Sequence, residues 1–132
     1  MLGFSYTAIF AVALGGALGA VSRFLLSHQI YVWLGRDFAW GTLGVNVIGS
    51  FFMGLLTILL VDKWMVTVEW RMLFLVGFLG AFTTFSTFSY ETLQYIELGA
   101  FFKAIANMAV SLLLTVFAVW LGLSAGRMWL SQ

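Results

Sequence analysis

The chain has 132 residues, 63% of them hydrophobic and 8% charged, with a formal net charge of +1 and neither cysteine nor proline. Soluble domains put about a quarter of their residues into Asp, Glu, Lys and Arg to solvate their surface, and so few charges cannot coat a soluble globule of this size. The near-neutral balance offers no basic patch to nucleic acid, and the missing thiols exclude disulfides, thiolate metal sites and cysteine nucleophiles.

A bilayer core of about 30 Å needs about 20 apolar residues in a helix. Four runs meet that requirement: Phe4 to His28, Trp40 to Val61, Met72 to Tyr95 and Ala104 to Ala125. The sequence therefore predicts an all-α membrane protein, a single four-helix transmembrane domain over residues 1–132, lying in the lipid bilayer. No basic residue precedes the first apolar run, so no signal peptide is expected.

In the first span Gly15, Gly16 and Gly19, with Ala17 and Ala20, allow close helix approach. Arg23 falls toward the end of that span, where it can snorkel or bond carbonyls. Its expected role is structural, with an electrostatic pull on incoming anions. The second span carries Thr42, Asn46 and Ser50 at i, i+4 and i+8, on one helix face. Polar groups at membrane depth are costly and face a partner or a pathway. This stripe is either helix glue or a hydrated path.

The third span reads Gly77-Phe78-Leu79-Gly80-Ala81-Phe82-Thr83-Thr84-Phe85-Ser86-Thr87-Phe88-Ser89-Tyr90-Glu91. Glycine and β-branched threonine both weaken helix here. One reading is an intact helix whose hydroxyls bond back to i−4 carbonyls. The other is a helix broken mid-membrane, which is tolerated only inside protein or beside water. Freed carbonyls would suit a small cation, and the resumed half-helix could face an anion. Phe85 and Phe88 stand one turn apart, and their positive ring edges could line an anion path. Thr84, Thr87 and Glu91 share another face, with Glu91 either a proton-linked or gating group or an interfacial residue. The fourth span repeats the stripe with Asn107, Ser111 and Thr115.

The loops hold most of the charge. Lys63, Arg71 and Arg127 fall on the side of the termini, and Arg23, Arg36 and Lys103 on or toward the other. Three against three gives no positive-inside preference, which admits insertion in both directions and an antiparallel dimer.

Three segments together resemble the Fluc (CrcB) family of fluoride channels. They are Gly16-Ala-Leu-Gly-Ala-Val-Ser-Arg23-Phe24, Gly41-Thr-Leu-Gly-Val-Asn46-Val-Ile-Gly49-Ser-Phe51-Phe-Met-Gly54, and the run from Gly77 to Glu91. Length and span count match across the whole chain; Ala81 departs from a glycine common in the family. The resemblance implies an antiparallel dual-topology homodimer with two pores, each lined by both subunits. It implies a broken third helix and a structural sodium ion at the dimer interface, held by main-chain carbonyls at Gly80 and Thr83. The fluoride path would use Asn46, Phe85 and Phe88, with Ser111 and Thr115 on a polar track. Thr42, Thr84, Thr87 and Glu91 complete the expected pathway. The implied activity is passive fluoride export across a bacterial cytoplasmic (inner) membrane, conferring fluoride resistance.

Two rival functions are weaker. A small multidrug antiporter needs a buried acidic residue in its first span, and none is present. A non-transporting assembly subunit accounts for the glycines but calls for neither a broken third span nor two polar stripes. Catalysis finds little support: His28 is the sole histidine, and no phosphate-binding Gly-Lys-Ser/Thr loop occurs.

Overall fold

The computed structural model describes residues 5–131; Phe4, the expected start of the first span, lies outside them. Helix α1 (Tyr6–Leu34) ends at Gly35, whose φ of 84° reverses the chain while its N–H closes on the Tyr31 carbonyl at 3.0 Å. A short connection with Arg36 and Asp37 leads into α2 (Trp40–Thr57), which runs on as a π-helical turn through Ile58–Lys63. The third span opens with α3 (Val68–Arg71) and widens into a π-helix over Met72–Leu79, followed by the single turn α4 (Gly80–Phe82). Beyond it come α5 (Phe85–Glu97), a turn at Gly99 with φ 73°, and α6 (Phe101–Leu130).

Four stretches are long and apolar enough to cross a membrane: Tyr6–Leu34, Trp40–Lys63, Val68–Glu97 and Phe101–Leu130. All four outrun the apolar cores read from the sequence. The reason is that the apolar run measures only the hydrocarbon layer, whereas helical hydrogen bonding continues through the headgroup zone where Trp, Tyr and charged side chains are at home. At 1.5 Å per residue, the 29 residues of α1 span about 44 Å, close to the full bilayer.

Contacts across the bundle fix its direction. Lys63, at the end of the second span, donates to the Trp129 carbonyl near the end of α6, and Lys103, near the start of α6, donates to the Asp37 carbonyl at 2.8 Å. Spans two and four therefore run parallel. Thr7 reaches Glu69 at 3.4 Å and Tyr31 reaches Glu91 at 2.8 Å, so spans one and three are parallel as well. This is the up-down alternation that short loops impose on a chain threading a bilayer.

The most extensive packing joins α2 to α6 and α1 to the π-helix of span three. Small residues make it possible: a Cβ on Gly122 would collide with the Phe51 carbonyl. Large apolar side chains such as Leu112, Leu113, Phe117 and Trp120 stand exposed on the outside, while the most deeply enclosed side chains include Val45 and a polar one, Asn107, at 1% exposure. That distribution suits lipid as the surrounding solvent.

Candidate functional site

The site is organised by the backbone between α4 and α5. Thr83 (ψ 157°) and Thr84 (φ −149°, ψ 123°) are extended. In a continuous helix the Thr84 N–H would close on the Gly80 carbonyl and the Thr87 N–H on the Thr83 carbonyl. Here both donors are taken by side chains. Thr84 N–H donates to Asn46 Oδ1 at 2.8 Å, and Thr87 N–H donates to Thr84 Oγ1 at 3.2 Å. Asn46 Nδ2 in turn donates to the Thr84 carbonyl at 2.9 Å. The α2 amide thus pairs with both backbone groups of one residue, as a neighbouring strand would, and Thr84 caps α5.

This grip needs a bare α2 surface. A Cβ on Gly49 would run into Thr83 Cγ2, so the glycine one turn short of Met53 is what lets Thr83 lie against α2. The carbonyls of Gly80 and Thr83 are consequently left without their i+4 donors, with Gly80 exposed and Thr83 half-buried. Neutral oxygens of this kind are the hard ligands that suit a small alkali cation. Among the described residues no group of three or more His, Cys, Asp or Glu side chains could hold a metal instead.

On one side of the Asn46–Thr84 clasp lies an open cavity of about 510 Å³. It brings together Asn46, Thr84, Phe85, Phe88, Ser111 and Thr115, along with Thr83 and Ser50. The Phe85 and Phe88 ring centroids are 5.4 Å apart with planes inclined by 40°, so the rings expose edges as well as faces. Opposite them runs the α6 stripe. Thr115 Oγ1 donates to the Ser111 carbonyl at 2.7 Å, Ser111 Oγ to Asn107 Oδ1 at 3.4 Å, and Asn107 Nδ2 to Thr92 Oγ1 at 2.9 Å. Asn107 therefore sits behind the cavity wall rather than on it.

A second cavity of about 190 Å³ adjoins the clasp from the α1 side, lined by Arg23, Ser27, Thr42, Thr84 and Thr87 among others. Its guanidinium makes it suited to an anion. Arg23 is about three turns before the end of α1, deeper in its helix than the sequence reading had it, because α1 continues to Leu34. Thr42 Oγ1 then donates to Glu91 Oε1 at 2.9 Å, and the Tyr31 hydroxyl donates to the same oxygen at 2.8 Å. Glu91 Oε2 is buried with no hydrogen-bond partner among the described residues. A third cavity of about 180 Å³, lined by Tyr31, Arg36, Glu91, Gln94 and Tyr95, opens at this end, where Arg36 lies over the Tyr31 ring at 4.9 Å.

The named residues thus fall into a connected series rather than one chamber. Thr84 is shared by the first two cavities, and the Thr42–Glu91 bond joins the second to the third. Within the hydroxyl run, Thr83 and Ser89 bond back to the Leu79 and Phe85 carbonyls, each at 2.9 Å, while Thr84 caps the start of α5. Tyr31 escaped the sequence reading, although Arg23, Ser27 and Tyr31 follow the same i, i+4, i+8 rule once α1 is extended. Gly41 matters with it, since a Cβ there would collide with the Tyr31 ring. Thr92 left no periodic signal, for its partner Asn107 lies across the Gly99 turn.

Comparison with known proteins adds a family. The family described as CrcB-like protein, Camphor Resistance (CrcB), matches residues 10–123. A protein of Hydrogenovibrio crunogenus named fluoride-specific ion channel FluC is 53% identical over 131 residues, covering 99% of both chains. A relative of the same name from Magnetococcus marinus is 56% identical over 117 residues, covering 89% of this chain and 95% of that one. Another from Geobacter sulfurreducens is 46% identical over 121 residues, covering 92% and 98%.

Proposed function

We propose that this chain, which belongs to the CrcB family, is a fluoride-selective channel that lets fluoride leave a bacterial cell passively through the cytoplasmic membrane. The observation that carries the reading is the cavity where Asn46, Phe85 and Phe88 converge with Ser111 and Thr115 beside the extended Thr83–Thr84 segment. That segment is read as the mid-membrane break of the third span, and the names of the family relatives supply the substrate.

Fluoride is small and holds its water tightly, so a narrow path must replace those hydrogen bonds as it strips them. Asn46 retains one amide hydrogen beyond the one given to Thr84, and hydroxyls and ring edges supply further positive potential. A path also has to release what it binds. Arg23 stands apart from the main cavity, in the second one, where it concentrates anions without trapping them at the narrowest point. Glu91 closes the series at the far end.

Two finer features follow the same reading. Phe85 is 78% exposed and the main cavity is open along that side, which supports a second, antiparallel copy as the missing wall. Two such walls make two pores per homodimer, and the even split of basic residues between the two ends favours insertion both ways. The carbonyls of Gly80 and Thr83, short of their helix donors, would hold a structural sodium ion between the copies, neutralising oxygen dipoles that would otherwise face each other.

The test is fluoride efflux from liposomes carrying the purified protein, with chloride as the counter-test and Phe85→Ile as control. Fluoride release without chloride release, slowed in the variant, is the expected result. Silence from a demonstrably folded protein overturns the channel reading in favour of an assembly role, with both polar stripes acting as helix glue.

A further inference from the structure

A hydroxyl carries one hydrogen, and in the main cavity almost every hydroxyl has already spent it. Thr115 gives its hydrogen to the Ser111 carbonyl, Ser111 to Asn107, Thr83 to the Leu79 carbonyl at 2.9 Å, and Thr84 to Thr87 Oγ1 at 3.0 Å. Before any of them can donate to an anion it must first break a bond inside the protein. Ser50 is different. It lines the same cavity, half-buried on α2, and its hydroxyl makes no hydrogen bond among the described residues, not even to the carbonyl one turn back.

Ser50 lies one turn beyond Asn46 on the same face of α2, which places the two side chains about 6 Å apart at their bases. Asn46 is fixed in orientation by its two bonds to Thr84, and its second Nδ2 hydrogen has no acceptor among the described residues. Two uncommitted donors on one rigid helix therefore serve one cavity. We propose that Ser50 is a fluoride-contacting residue that acts with Asn46 as a two-donor station. Ser111 and Thr115, by contrast, join only by giving up their internal bonds. The assignment rests on the fluoride-channel reading and says which hydroxyl carries the dehydration.

The experiment compares fluoride efflux from liposomes for the unaltered protein, Ser50→Ala, Ser50→Cys, Ser50→Thr and Thr115→Val. A hydrogen bond to a charged group is worth more than one between neutral groups, so Ser50→Ala should slow fluoride efflux by about tenfold. Ser50→Cys, matched in size but a poor donor, should match it, whereas Ser50→Thr should stay within about twofold of the parent and Thr115→Val should lose less than Ser50→Ala. The thiol variant answers the question even if the alanine variant fails to fold. Parent-like efflux in both Ser50→Ala and Ser50→Cys, with the parent conducting, overturns the Ser50 assignment and leaves the channel standing. A silent parent removes the channel reading and this assignment together.

Discussion

Two asparagines mark the two polar stripes, and they do different things to the helices they face. Asn107 on α6 is almost fully enclosed and bonds a side chain, Thr92 Oγ1, while Thr92 satisfies itself on the Phe88 carbonyl at 2.7 Å. The backbone of α5 stays helical at that level. Asn46 on α2 bonds the backbone itself, taking both the N–H and the C=O of Thr84, and there the helical hydrogen bonding is interrupted. An asparagine aimed at a side chain glues two helices. One aimed at the N–H and C=O of a residue substitutes for helix hydrogen bonds. The difference teaches that polarity in a membrane helix is not itself the signature of a pathway; what the polar group is bonded to decides.

Substitutions can break or sharpen this contrast. The largest effect is expected from Asn46→Ala, which removes the hydrogen-bond partner of both Thr84 backbone groups. Each unsatisfied group costs about 1–3 kcal/mol, so chemical denaturation in detergent should register a loss of about 2–6 kcal/mol, and fluoride efflux should vanish. Retention of parent stability would mean that the extended segment does not depend on the clasp. Glu91→Ala comes next, since it removes the acceptor shared by Tyr31 and Thr42. A loss of about 1–3 kcal/mol is expected, whereas Glu91→Gln keeps an acceptor oxygen and should stay within about 1 kcal/mol of the parent. Equal losses in both would show that charge, not the shared acceptor, matters there.

Asn107→Ala tests the other side of the comparison. It leaves Thr92 bonded to its own helix, so the cost should be about 1 kcal/mol with efflux reduced but measurable. A collapse as deep as that of Asn46→Ala would erase the distinction between glue and clasp. The smallest effect is expected for Thr115→Val. Back-bonding of a threonine to its own helix adds little stability, so the midpoint of denaturation should barely move, and any change in efflux then reports the hydroxyl itself.

Much of this was legible beforehand. The i, i+4, i+8 spacing of Thr42, Asn46 and Ser50 and of Asn107, Ser111 and Thr115 is a consequence of helical geometry, and the main cavity does receive Asn46, Ser50, Ser111 and Thr115. The stripe rule erred by treating each stripe as a unit. Thr42 turns to Glu91 and Asn107 to Thr92, because residues eight apart on a helix are about 12 Å apart along its axis and meet different neighbours. Tyr31 was lost for a different reason: hydropathy marks where lipid ends, and α1 does not stop there.

Composition and periodicity by themselves determined that this chain lives in a bilayer, crosses it four times, and carries two polar faces and a helix-averse run in the third span. Those properties are sums over neighbouring residues and need no partner. Only the tertiary structure decided which hydrogens are spent and which are left over. That choice depends on whether an Asn on one helix meets a peptide or a hydroxyl on another, and on whether a glycine such as Gly49 lets the two approach. Spacing along one helix carries no record of the helix it will face.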